Sequence, residues 1–139
     1  MQHVRLALIG FGYWGPNYAR VLSELAGAEL TAICDQRADR LAVVRQRYRT
    51  VAVCASLDEL FARDDVDAVV IATPASTHEA LVRTALNHGC HVLVEKPMAL
   101  HAAGCESLCD LADAVGRLLM VGYTFLYNAG VRKMKDMMA

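Results

Sequence analysis

The feature that most constrains this chain is an alternation. Short apolar runs at residues 4–9, 30–34, 51–54, 68–72, 91–94 and 118–121 take turns with segments whose apolar residues recur at helical spacing. Trp14, Tyr18, Val21, Leu22 and Leu25 make the first such segment. Leu41, Val44 and Tyr48 mark the second, and Cys105, Leu108, Cys109, Ala112 and Val115 a later one. A near-continuous apolar strand is covered on both faces. Strands alternating with helices fold as a parallel sheet with right-handed crossovers, which puts helices on both sides. The predicted fold class is α/β, a doubly wound parallel sheet of about six strands.

Local signals punctuate the pattern. "SLDE" at 56–59 and "STHE" at 76–79 read as capping boxes, in which a Ser side chain bonds the third helical N–H while Glu reaches back to the cap. Helices are predicted just after Ser56 and just after Ser76. The second should end near Asn87, with Gly89 as its left-handed terminal residue. Gly27 and Gly116 read as further stops. A last amphipathic segment carries Val131, Met134 and Met138, with Arg132, Lys133, Lys135 and Asp136 as its polar positions.

Composition excludes several classes. Hydrophobic residues make up 55% of the 139, charged residues 21%, and the net charge is −1. That is a globular chain without the basic excess that attracts nucleic acid. The five cysteines include no C-x-x-C pair, so no metal is assigned and no thioredoxin-type motif is supported. Cys105 and Cys109, four apart, read as small hydrophobes packed on a helix. Free thiols suit a reducing cytosol. The opening "MQHVRLALIG" lacks a signal-peptide layout, and no run approaches the roughly 18 apolar residues of a membrane span. A cytoplasmic location is the expectation.

"LIGFGYWGPN" at 8–17 places Gly10, Gly12 and Gly15 in a G-x-G-x-x-G spacing. Alone, the spacing is weak and fits a glycine-rich strand exit. Here it follows a predicted strand and opens a predicted helix, the setting of a dinucleotide-binding turn. Gly10 allows the tight turn, Gly12 lets backbone approach a pyrophosphate, and Gly15 lets helix pack on strand. The helix N-terminus then offers N–H groups to phosphates. Asp35, twenty residues after Gly15, ends the second strand. An acid there accepts ribose hydroxyls and repels a 2′-phosphate, which favours NAD over NADP. Arg37 softens that preference, and a plain turn or helix-cap role for Asp35 stays open. There is no G-x-x-x-x-G-K-[ST], so a P-loop NTPase is excluded.

Two more motifs lie at predicted strand ends, "ATPASTHEA" at 72–80 and "VEKPM" at 94–98. With "GFGYWGPN" they resemble the N-terminal Rossmann domain of the Gfo/Idh/MocA oxidoreductases, named for glucose–fructose oxidoreductase, inositol dehydrogenase and a rhizopine catabolism protein. The subset with nucleotide-sugar dehydrogenases and 3-ketosugar reductases is the most similar. The resemblance covers essentially the whole chain. It implies hydride transfer between a nicotinamide cofactor and a hydroxyl or ketone of a sugar, nucleotide sugar or cyclitol. Tyr13 and Trp14 would then offer backbone N–H groups to the pyrophosphate. Thr73 and Pro74 would border the cofactor, with His78 beside that loop. Glu95 and Lys96 would approach the nicotinamide ribose, and Lys96 would contact the reacting hydroxyl. Pro97 would shape the turn, and the bond before it is a candidate cis peptide.

Plainer readings stand beside these. A lysine ending a buried strand loses hydration, which lowers its pKa and suits proton transfer. It could equally snorkel and pair with Glu95. His78, one turn into a helix, could be a solvated surface group. The resemblance also implies a second, α+β domain supplying an aspartate–histidine pair, and no D-x-x-x-H element follows Tyr123. The family's usual Asn-Pro reads Asn128-Ala129, where Asn128 can still cap the final helix. Residues 1–123 are expected to form the dinucleotide-binding domain, and 124–139 a helix leading towards a substrate domain. The chain alone would hold most of a cofactor site and half of an active site, with apolar surface on the last helix open to self-association. The competing class is a non-catalytic dinucleotide-binding module, a redox sensor or an assembly subunit.

Overall fold

The apolar runs become the strands of one sheet. The computed structural model describes residues 3–138. In chain order the elements are β1 (Val4–Ile9), α1 (Gly15–Glu24), β2 (Ala28–Cys34), α2 (Ala38–Arg47), β3 (Ala52–Cys54) and α3 (Leu57–Phe61). There follow β4 (Ala68–Ile71), α4 (His78–Asn87), β5 (His91–Val94), α5 (Ala102–Val115), β6 (Leu119–Val121) and α6 (Ala129–Met138). Single 3-10 turns span Ala75–Thr77 and Thr124–Tyr127. Every strand pair is parallel, and the order is β3-β2-β1-β4-β5-β6. The chain's direction across the sheet reverses between β1 and β4. In such sheets the crevice beyond the strand C-termini at that reversal is where ligands bind.

Alternation along each strand divides the core in two. Leu8, Ile33 and Val70 face Ala19 and Leu22 of α1 and Val44 of α2. Ile9, Ile71 and Val94 face Leu60 of α3, Val82 and Leu86 of α4, and Leu108 of α5. Each such fully buried aliphatic side chain contributes roughly 1.5–3 kcal/mol. At the strand N-termini, Arg5 grips Asp67 with Nη2 at 2.6 Å and Nε at 3.0 Å, pinning the start of β1 to β4. Those side-chain bonds hold the Asp67 carboxyl down at about 2.

Four expectations need correction. The first capping box forms, with Glu59 N–H donating to Ser56 Oγ at 3.2 Å, but the Glu59 carboxylate takes the N–H of Ala55 rather than that of Ser56. The second does not form. Ser76 lies inside the 3-10 turn that follows extended Pro74 and runs straight into the helix, so it does not stand at the helix boundary. The helix opens instead at Thr77, whose hydroxyl donates to the Pro74 carbonyl, while Glu79 pairs with Arg83. Cys109 is exposed, because α5 buries only Leu108 and Ala112. Val21 and Leu25 are also exposed; α1 seats the smaller Ala19 against the sheet alongside Leu22.

The β6 side of the molecule stays open. No residue of α6 is buried, and Phe125, Leu126, Met134 and Met138 are all more than half exposed. Asn128 caps α6 as expected, its Oδ1 accepting from Val131 N–H at 3.2 Å.

Candidate functional site

The three glycines of the first turn are held for different reasons. Gly10 has φ +97°, and a Cβ there would lie 2.7 Å from the Ala72 carbonyl oxygen and 2.7 Å from Thr73 Cγ2. A Cβ on Gly15 would lie 2.5 Å from the Gly10 carbonyl oxygen. Gly12 differs. Its φ is not in the left-handed region, and a Cβ would meet nothing within 4 Å. Among the described residues nothing requires glycine there. Beside it α1 opens at Trp14 with no side-chain cap, and Pro16 sits in its first turn. The N–H groups of Gly12, Tyr13 and Trp14 find no acceptor among the described residues. Open space, bare N–H groups and the positive end of a helix together make an anion cradle. The Tyr13 and Trp14 side chains themselves project into solvent.

Asp35 stands at the end of β2, against this turn. One carboxylate oxygen accepts the Phe11 N–H at 2.6 Å, and the other accepts the Arg37 N–H at 2.8 Å. A carboxylate has about four acceptor positions, so about two remain free. Asp35 therefore fixes the glycine turn and still has acceptor positions to spare. The Arg37 guanidinium, two residues on, is engaged by Asp39 at 2.7 and 3.2 Å and leaves Asp35 unpaired by it.

The loops after β4 and β5 close the far side. Thr73 lies against Gly10, and its hydroxyl bonds Thr77 at 2.7 Å. Pro74 is exposed beside it. His78 is 1% exposed, so the surface reading of it is wrong. Its Nε2 lies 2.8 Å from the Thr73 carbonyl and its Nδ1 2.7 Å from the Pro97 carbonyl. Each ring nitrogen thus faces the carbonyl of one loop; a neutral imidazole carries one N–H and donates to one of the two, while the buried ring packs beneath both. The Lys96-Pro97 bond is cis.

Glu95 and Lys96 part company. The Glu95 carboxylate accepts the Tyr18 hydroxyl at 2.7 Å on one oxygen and the Lys96 backbone N–H at 3.2 Å on the other. Burial first, and the Glu95 carboxylate second, push the Tyr18 phenol pKa up. Lys96 enters no ion pair among the described residues, so the snorkelling pair with Glu95 does not exist. Its side chain is exposed, and the burial expected of it is not provided by this chain. An apolar hollow of about 250 Å³ opens beside it, lined by Gly122, Tyr123, Phe125 and Leu126. Sequence reasoning missed Tyr18, taking it only as a packing position. The signal was its place three residues after Gly15, on the same face of α1.

A larger cavity, about 340 Å³, lies at the other edge of the sheet among Glu29, Thr50, Arg63 and Asp65. It makes a poorer site. Arg63 is already paired with Asp65, and no glycine turn or bare helix start reaches it. The strand C-terminal edge carries the stronger case despite its smaller hollow.

Residues 4–123 match the family model described as an oxidoreductase family with an NAD-binding Rossmann fold, the Gfo/Idh/MocA family. The chain belongs to that family. It is 40% identical over 124 residues to an inositol 2-dehydrogenase of Acidothermus cellulolyticus, covering 88% of this chain and 36% of that protein. Among solved structures, KijD10, a 3-ketoreductase from Actinomadura kijaniata in complex with NADP and TDP-benzene, superposes with a TM-score of 0.90 at 32% identity. That alignment takes in 99% of this chain and 42% of KijD10. GenD2 from gentamicin A biosynthesis, in complex with NAD, gives 0.88 at 32% identity, over 93% of this chain and 37% of GenD2. The chain thus spans well under half the length of these relatives. As a Gfo/Idh/MocA Rossmann domain it has the strand order and the glycine turn that nicotinamide dinucleotides use. The residues present fit such a cofactor at three points: the cradle at Gly12, the free acceptor positions of Asp35, and those of Glu95. No helix among the described residues is long and apolar enough to cross a membrane.

Proposed function

We propose that this chain is the cofactor-holding part of an oxidoreductase that moves hydride between a nicotinamide dinucleotide and a hydroxyl or ketone on a cyclitol, sugar or nucleotide sugar. The observation that carries the reading is the empty space over Gly12 beside an uncapped helix start. The names of the relatives, an inositol dehydrogenase and a 3-ketoreductase, support the substrate class. Gly10, Gly12, Gly15 and the N–H groups of Tyr13 and Trp14 would take the pyrophosphate, and Asp35 the adenosine ribose. Thr73 and Pro74 would border the cofactor, with His78 and Pro97 holding that loop pair in shape. Glu95 would meet the nicotinamide-side ribose. The cofactor, when bound, supplies the hydride acceptor or donor. Lys96, free of any ion pair among the described residues, would hold the proton of the reacting hydroxyl.

Residues 1–123 would then be the dinucleotide-binding domain, and 124–139 the lead into a substrate domain packed on the apolar hollow beside Lys96. Self-association through α6 would cover the same surface, since Val131, Met134 and Met138 all face outward. The protein would work in the cytoplasm. A non-catalytic dinucleotide-binding module would use the same cradle, and turnover separates the two. Calorimetric titration with NAD and NADP tests cofactor binding; tighter binding of NAD is expected, because Asp35 repels a 2′-phosphate. Hydride transfer to cyclitols and sugars, followed at the nicotinamide absorbance, should need residues beyond this chain. Failure to bind either dinucleotide would overturn the reading.

A further inference from the structure

Two carboxylates, Asp35 and Glu95, stand at opposite ends of the candidate cleft, and each is fixed by a donor from the glycine turn or its helix. For Asp35 the donor is backbone, the Phe11 N–H. For Glu95 it is a side chain, the Tyr18 hydroxyl of α1. Glu95 lies beside Gly122, where a Cβ would come within 3.4 Å of its Oε1. Its carboxylate is therefore bounded by α1 on one side and the end of β6 on another. Two of its roughly four acceptor positions are used, by Tyr18 and the Lys96 N–H. The others remain for ligand hydroxyls.

The bond is not forced by the phenol. A fully buried Tyr hydroxyl needs a protein partner, but Tyr18 is only half-buried and water could serve it. The carboxylate is the side that gains. Without Tyr18, Glu95 has one weak bond to its neighbour's N–H and a free rotamer, with the Lys96 ammonium the nearest cation in sequence. A Glu95–Lys96 pair would occupy both groups at once. With Tyr18 in place, the carboxylate is held by neutral donors and the ammonium is left open.

We propose that Tyr18 is a positioning residue: it sets the Glu95 carboxylate to receive the hydroxyls of the nicotinamide-side ribose and keeps it off Lys96. This rests on the dinucleotide reading above. It acts only on the nicotinamide half, because the adenosine half is served by Asp35.

The test compares NAD with ADP, which lacks the nicotinamide ribose. Calorimetric titrations of the chain and of Tyr18→Phe are run with both. NAD should bind Tyr18→Phe about tenfold more weakly, with ADP unchanged, the size expected when one hydrogen bond to a charged group is lost. A double variant guards against a general loss of structure. Tyr18→Phe with Glu95→Gln should bind NAD no more weakly than Glu95→Gln alone, since both act through one carboxylate. Unchanged NAD affinity in Tyr18→Phe, equal weakening of NAD and ADP, or additive losses in the double variant would each overturn the proposal. Failure of the unsubstituted chain to bind NAD would overturn the dinucleotide reading itself, and is seen before any substitution is made.

Discussion

Replacing the three glycines of the first turn by alanine, one at a time, should separate shape from binding. At Gly10 the new Cβ meets the Ala72 carbonyl at 2.7 Å on a backbone with φ +97°. Left-handed backbone costs a non-glycine residue about 1–3 kcal/mol, and the carbonyl contact adds to it. At Gly15 the obstacle is the Gly10 carbonyl oxygen at 2.5 Å, again backbone that cannot swing aside. Overpacking of that kind costs roughly 1–3 kcal/mol. For a domain of this size each kcal/mol lowers Tm by about 3–5 °C, so both variants should melt several degrees early. Gly12→Ala should not. Its Cβ enters open space, and the less flexible unfolded chain gives up to about 1 kcal/mol of added stability. Its dinucleotide affinity should nonetheless fall at least about tenfold, because the methyl fills the cradle and keeps charged oxygens from the N–H groups. Thermal melts by circular dichroism and NAD titrations by calorimetry read the two effects separately. The reasoning is refuted if Gly12→Ala melts as early as Gly10→Ala, or if it binds NAD as the unsubstituted chain does.

Other outcomes follow from the same geometry. His78→Ala should cost roughly 1–3 kcal/mol in denaturant unfolding, since a buried ring and its one N–H donation to a loop carbonyl are lost, and should weaken NAD binding as the two loops loosen. Asp67 sits at about 2 against an ordinary 3.8 because Arg5 hydrogen-bonds it, so its contribution is full above pH 4 or so and is lost as pH falls towards 2. Asp67→Ala should therefore lower Tm at neutral pH, and the difference from the unsubstituted chain should shrink as pH falls through about 2. Burial pushes the Cys34 thiol up to about 12. An aromatic disulfide reagent should label exposed Cys109 in the native protein, and reach buried Cys34, Cys54 and Cys90 only after denaturation.

The strand pattern and the glycine turn were legible in the sequence because periodicity and spacing are local. A run such as Ala68–Ile71 is apolar throughout because helices cover both its faces, and that cover shows in its composition. Contacts between loops were not legible. Nothing about "STHE" distinguishes a capping box from a 3-10 turn that leaves Ser76 idle and sends His78 inward; the decision is made by extended Pro74 and by two carbonyls, one of them nineteen residues away. Tyr18 likewise fits a helical stripe, and only the fold brings Glu95, 77 positions on, to its hydroxyl. Asp35 was read for its ligand and proved also to hold Phe11, so its replacement will disturb the turn for NAD and NADP alike.

The central claim is that a dinucleotide binds along the C-terminal edge of the sheet, not in the larger cavity at the other edge. Backbone amide NMR shifts during NAD titration test it most directly. The account predicts saturating shifts confined to residues 10–15, 35–37, 73–78 and 95–97, with Glu29, Thr50, Arg63 and Asp65 unmoved. Shifts centred on Glu29, Thr50, Arg63 and Asp65, or none anywhere at saturating NAD, would contradict it.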